Sequence, residues 1–182
     1  MRKLWAGLFM SLDGVVESPH RWVFPYFNEE VGQAVSSGSE AADAMLLGRR
    51  TYEEWAGYWP DKTTEDDPYA DFINPIHKYV VSTTLSTLEW GPSTLVSSDV
   101  AERIRELKER PGGEIGSTGS ITLIGSLLKM GLLDELRLLV FPVVVGSGKR
   151  LFDSDEQVPL RLADSRTFQT GVLSLTYERE ET

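Results

Sequence analysis

Ala44-Met45-Leu46-Leu47-Gly48-Arg49-Arg50-Thr51 is the stretch whose reading decides the fold. Residues 44–47 are apolar and too few for a helix, Gly48 stops them, and residues 49–58 resume with helix-compatible side chains. The order is strand, glycine, helix, the unit from which parallel sheets are built. It recurs at residues 114–130. A strand over 114–118, unusually polar for a buried one, leads through Gly116-Ser117-Thr118-Gly119-Ser120 into a helix. That helix carries Ile121, Ile124, Leu127 and Leu128 on one face and is closed by Gly131.

Outward from these two units the alternation continues. Residues 3–10 are mostly apolar and bounded by Ser-Leu-Asp-Gly, which predicts a central first strand. The spacing of Phe24, Phe27, Val31 and Val35 predicts a helix over 24–35. Residues 61–71 carry five acidic groups and Pro68, the pattern of a solvated loop. Residues 78–82 and 94–97 read as strands. Asp99 and Glu102 have capping-box spacing ahead of the stripe Val100, Ile104 and Leu107, and Pro111-Gly112-Gly113 ends that helix. Residues 137–145 predict a long buried strand, and 161–168 with 172–179 flank Gln169-Thr170-Gly171 as a hairpin. The expected fold is an α/β three-layer sandwich in one domain, residues 1–182, with a mostly parallel central sheet and a C-terminal antiparallel hairpin.

The 182 residues fit one domain at the usual ~100–200 per domain, with a core large enough to fold without disulfides or structural metal. There is no cysteine, which removes thiolate zinc sites and thiol nucleophiles. Only His20 and His77 remain, without ligand spacing, so no metal site and no serine–histidine triad are expected. A net charge of −10 repels nucleic acid. The longest apolar run, residues 138–145, is broken by Pro142 and falls far short of the ~20 residues of a membrane span. The basic N-terminus lacks an export-type cleavage region, and the expectation is a cytoplasmic protein without nucleic-acid or membrane partners.

In such sheets ligands bind at the carboxyl ends of strands, where helix N-termini offer free N–H groups to anions. Gly48-Arg49-Arg50-Thr51 supplies close backbone approach, two guanidinium groups and a hydroxyl; the corner at Gly116 to Ser120 supplies small side chains. Neither is a Walker loop or a Gly-x-Gly-x-x-Gly fingerprint, and each alone reads equally well as a tight turn. Two in one sheet point to a dinucleotide.

The sequence resembles a known family at this point. Gly48-Arg49-Arg50-Thr51-Tyr52-Glu53 is similar to an element of dihydrofolate-reductase-like proteins. Ser11-Leu12-Asp13-Gly14, the strand from Lys78 to Leu85, Gly119-Ser120-Ile121-Thr122-Leu123, the segment from Gly131 to Leu138 and the segment from Phe141 to Phe152 resemble the riboflavin-biosynthesis reductase branch, the RibD C-terminal domain. The elements occur in family order over nearly the whole chain. The resemblance implies a dihydrofolate-reductase-like fold and NADPH binding. Gly48, Arg49, Arg50 and Thr51 then lie at the adenosine 2′-phosphate and pyrophosphate, Ser82 and Thr83 against the adenosine, and Gly119, Ser120, Ile121 and Thr122 around the pyrophosphate. Thr83 stands where many relatives have arginine, so preference for a 2′-phosphate falls on Arg49 and Arg50.

The implied chemistry is hydride transfer to a polarised C=N or C=O carbon with a proton delivered to the adjacent heteroatom. Asp13 is a candidate polar contact to substrate, with an Asp-Gly turn as its alternative role. Glu30, beside Glu29, lies on the helix that carries the proton-donating carboxylate of dihydrofolate reductases, and both also read as exposed helix charges. Val15, Val16, Trp22 and Phe24 are candidate pocket walls or simply core. The leading expectation is an NADPH-dependent reductase resembling 5-amino-6-(5-phosphoribosylamino)uracil reductase, acting on a small heterocyclic or sugar-imine substrate. The alternatives are dihydrofolate reduction, or a non-catalytic dimeric nucleotide-binding domain. A homodimer through the C-terminal strands is implied by the resemblance.

Overall fold

The structure is a computed structural model that describes residues 1–152 and 156–180. Its eight-stranded sheet has the order β4-β3-β2-β5-β1-β6-β8-β7. The strands are β1 (Leu4–Ser11), β2 (Ala42–Gly48), β3 (His77–Val81), β4 (Ser93–Val96), β5 (Glu114–Thr118), β6 (Glu135–Phe141), β7 (Leu160–Thr167) and β8 (Leu173–Arg179). The first six pair in parallel, and β8 runs antiparallel to both β6 and β7. The turn of the terminal hairpin closes through Phe168 N to Val172 O at 2.9 Å, with Gly171 at φ 82°. This is the dihydrofolate-reductase-like α/β architecture expected from the sequence.

Alternation along β2 separates the two faces. Leu46 joins the large cluster under α4 (Val100–Glu109) and α5 (Ile121–Lys129), with Leu4, Ala6, Ile115, Ile124 and Leu136. Met45 and Leu47 point the other way, into a cluster with Tyr52 of α2 (Arg49–Ala56) and Ile73 of α3 (Ala70–Ile73). On that second face, α1 (Glu29–Ser39) packs Val31 against Leu139 and Phe141 of β6. Strand β5 lies between the parts covered by α1 and by α2, and a cleft opens there.

Three expected boundaries move, and one expected cap does not form. The helix predicted over 24–35 starts at Glu29 because the Asn28 side chain caps it, accepting from Val31 N at 3.1 Å, while residues 24–26 form a separate 3₁₀ turn. The capping box at Asp99 does not form: Asp99 sits in the left-handed region at φ 50° and its side chain makes no capping bond. The strand predicted over 137–145 ends at Phe141, since Pro142 has no N–H to donate to a ladder. The end of the acidic segment is helical, residues 70 and 71 opening α3.

The polar β5 is nonetheless central, and Gly116 explains one of its small residues. A Cβ there would lie 2.7 Å from Trp5 Cζ2, so only glycine leaves space for the indole. Trp5 is 5% exposed and lies across the floor of the cleft.

Candidate active site

After β2 the chain turns through α2 towards β3; after β5 it turns through α5 on the opposite face towards β6. The two helices leave neighbouring strands in opposite directions, which makes the boundary between β2 and β5 a topological switch point. Both helix N-termini therefore open at one rim with their free N–H groups.

Ser120, 5% exposed, ties the two corners together. Its Oγ accepts from Gly48 N at 2.8 Å and donates to Thr51 Oγ1 at 3.0 Å. Gly119 stands at φ 69°, and a Cβ at that position would approach Thr51 Cγ2 to 3.2 Å. Left-handed backbone and close approach together call for glycine. A cradle of small residues backed by two helix dipoles suits a pyrophosphate, so the residues present fit a dinucleotide.

The rim opens into a cleft of about 1420 Å³, larger than the roughly 300–1,000 Å³ of common small-molecule pockets and roomy enough for two ligands. Gly48, Arg49, Arg50, Thr51, Gly119, Ser120, Ile121 and Thr122 all line it, as does Val16. Arg49 pairs with Glu53 at 3.1 Å on the exposed side of α2.

Other expected site residues lie off the cleft lining. Ser82 Oγ is occupied in its own turn, accepting from Thr84 N at 3.2 Å and Leu85 N at 3.1 Å, with Thr83 exposed beside it. Val15 is buried under the loop after β6, Trp22 packs edge-on against Phe141 at 5.6 Å, and Phe24 is exposed. The carboxylate of Asp13 accepts from Ser11 Oγ at 2.7 Å, Val145 N at 3.0 Å and Gly146 N at 2.9 Å. The Ser11 hydroxyl, then the two amides, hold its pKa down to about 2. Asp13 thus ties the loop after β1 to the loop after β6. Glu30 accepts from Gln169 N at 2.8 Å and Asn28 Nδ2 at 3.1 Å, joining α1 to the β7–β8 turn, and Glu29 accepts from Gln33 at 3.0 Å. These partners account for both carboxylates expected to act on substrate.

The cleft also carries residues that no local signal in the sequence singled out. Lys149, from the loop after β6, donates to Thr122 Oγ1 at 2.6 Å on the first turn of α5. At the other end the Arg137 guanidinium stacks 4.7 Å from the Trp5 ring and donates to Glu114, Glu135 and Gly38 O. Trp55 and Tyr69 form the wall on the α2 side. Arg137 lies in a segment read as a strand, Trp55 in one read as a helix and Tyr69 in one read as a solvated loop, so the local pattern carries no signal that these side chains share a cleft.

Fold and site together define an α/β protein of the dihydrofolate-reductase-like class, with a cleft at the carboxyl rim of its parallel strands. The chain belongs to the RibD C-terminal domain family, whose model matches residues 2–174. It is 30% identical over 181 residues to the uncharacterized protein YyaP of Bacillus subtilis (strain 168), covering 97% of this chain and 94% of that one. Among solved structures, a putative riboflavin biosynthesis protein from Shewanella sp. PV-4 superposes with a TM-score of 0.79 at 23% identity, over 98% of this chain and 99% of that one. Dihydrofolate reductase from Enterococcus faecalis complexed with NADP(H) gives 0.65 at 12% identity, over 98% and 97%. The Thermotoga maritima diaminohydroxyphosphoribosylaminopyrimidine deaminase/5-amino-6-(5-phosphoribosylamino)uracil reductase gives 0.68 at 14% identity, over 98% of this chain and 56% of that one. Among the described residues no helix is long and apolar enough to cross a membrane.

Proposed function

We propose that the protein is an NADPH-dependent reductase that delivers hydride to a C=N or C=O carbon of a small heterocyclic or sugar-imine substrate, of the kind named for the Thermotoga enzyme. The observation that carries this reading is the Ser120 bridge, which fixes two helix N-termini at one switch point. Support comes from the family and from the NADP(H) complex of the Enterococcus neighbour.

In this reading Gly119, Ser120, Ile121 and Thr122 hold the pyrophosphate together with Thr51, and Arg49 and Arg50 take the 2′-phosphate. A bound nicotinamide supplies the hydride. The chain itself aligns the reacting carbons and excludes water, work that the rim and the aromatic floor at Trp5 can do by shape. Strand β7 is an eight-residue edge, exposed from Arg161 to Thr167, and we assign it the contact of a homodimer.

Absorbance of NADPH, followed with 5-amino-6-(5-phosphoribosylamino)uracil and separately with dihydrofolate, tests the reading. Oxidation with the pyrimidine supports it. Oxidation with dihydrofolate alone replaces it by dihydrofolate reduction, and calorimetry showing no binding of NADPH or NADH replaces it by a non-catalytic domain.

A further inference from the structure

Two adjacent central strands give up side chains to seat one indole. Trp5 of β1 stands opposite Gly116 of β5, and its ring covers that glycine and Gly7: a Cβ at Gly116 would lie 2.7 Å from Cζ2, and one at Gly7 would lie 3.1 Å from Cζ3. Over the ring the Arg137 guanidinium lies 4.7 Å away, itself tied to Gly38 O at 2.7 Å and to Glu114 at 3.1 Å. The indole is pinned. Its Nε1 is buried and has no hydrogen-bond partner among the described residues. A desolvated donor that cannot turn to find an acceptor is unfavourable in a fold, and a bound acceptor relieves it.

The ring contacts also give the direction of that donor. Cζ2, on the nitrogen side of the six-membered ring, is the atom nearest Gly116, whereas Cζ3 and Cε3, on the opposite side, sit against Gly7. Nε1 therefore lies towards β5, the strand over which the cleft opens. Glu114 and Thr118 line the cleft two residues to either side of Gly116, and the indole fills the floor between them, with Phe9 and Leu139 beyond it. Charges at this end pair off: Arg137 with Glu114 and Glu135, and Lys3 with Glu135. Where the rim at Arg49 and Ser120 suits an anion, this floor suits a neutral acceptor.

We infer that Trp5 is a substrate-binding residue of this cleft, its indole N–H donating to a carbonyl oxygen or ring nitrogen on the edge of an uncharged planar heterocycle. The inference rests on the reductase reading for that ring being the group reduced. One fixed donor on a largely apolar floor sets the orientation of such a ring.

The test uses uracil as probe and benzene as a ring without an acceptor, each titrated into the full chain while its five indole N–H resonances are followed. The Trp5 resonance is assigned through its proximity to Gly116. Uracil should move it downfield, as a proton gaining an acceptor does, and benzene should not. Replacing Trp5 by β-(3-benzothienyl)alanine exchanges the N–H for sulfur at nearly unchanged shape. This should weaken uracil about three- to tenfold, the worth of one hydrogen bond, and leave benzene unchanged. With the turned-over pyrimidine it should raise KM with little change in kcat. Equal uracil affinity in the two proteins, an unmoved Trp5 resonance, or absence of uracil binding by the wild type overturns the inference. Where the replaced chain does not fold, the wild-type resonance alone decides. Uracil binding through Trp5 without NADPH oxidation removes the reductase reading and leaves this donor in place; NADPH oxidation with the pyrimidine over an unmoved Trp5 resonance does the reverse.

Discussion

Ser120 and Gly48 are 72 positions apart, and the hydroxyl of the first accepts the backbone N–H of the second at 2.8 Å. That bond locks the corner after β2 to the corner after β5. Ser120→Ala leaves the Gly48 N–H and the Thr51 hydroxyl without this partner. Denaturant unfolding should show a loss of about 1–2 kcal/mol, and calorimetry a weaker complex with NADPH.

Gly119→Ala combines a positive φ of 69° with a Cβ 3.2 Å from Thr51 Cγ2. The variant should be destabilised by about 1–3 kcal/mol. Its affinity for NADPH should fall by about tenfold or more, because the added methyl pushes against the cradle itself. An affinity equal to wild type would show that ligand phosphate does not approach this corner.

Arg49 is half-exposed and held by Glu53 at 3.1 Å, so its guanidinium is already oriented along α2. Arg49→Ala should weaken NADPH about tenfold more than NADH, the size expected of one charge-assisted contact to a phosphate. Equal losses for the two dinucleotides would remove this arginine from 2′-phosphate recognition.

Lys78 is fully buried at the start of β3, donating to Asn74 O and Ile76 O at 2.9 Å with its ammonium 4.1 Å from the Trp90 ring. Burial lowers its pKa from 10.5 to about 8. Between those values the unfolded chain binds the proton and the folded chain does not, so stability rises with pH from about 8 towards 10.5. The span corresponds to about 3 kcal/mol. Urea unfolding of wild type and Lys78→Met over that range should diverge by this amount, with the variant lacking the rise.

Asp13 acts in acid. Its folded pKa of about 2 lies below the unfolded 3.8, so its contribution is complete above the unfolded value and is lost as pH falls through the folded one. Asp13→Asn should remove that acid dependence. Hydrogen exchange at Val145 and Gly146 should quicken, because their amides lose a charged acceptor.

The element order could be read from the chain because its signals are local. Residues 44–51 show an apolar run, a glycine and an amphipathic start within eight positions, and the second corner repeats the pattern. The misplaced boundaries are local competitions that periodicity does not resolve: the Asn28 cap against the Phe24 stripe, and Pro142 against a run of valines. The two glycine corners could be found for the same reason. Their meeting at one rim is fixed by strand order, which inserts β5 between β2 and β1.

Which side chains face the cleft was settled by contacts across the chain. Asp13 and Glu30 carry the right chemistry for substrate, yet their acceptors are taken by amides 132 or more residues away. Trp55 and Tyr69 look like core or surface in sequence and meet at the cleft only once α2 and α3 pack on the same sheet face. Sequence alone determined the alternation of strands and helices and the two small-residue turns, since periodicity and backbone freedom are properties of neighbours along the chain. Tertiary structure alone decided the walls of the cleft, since strand order and register set which distant groups share a surface and which satisfy one another.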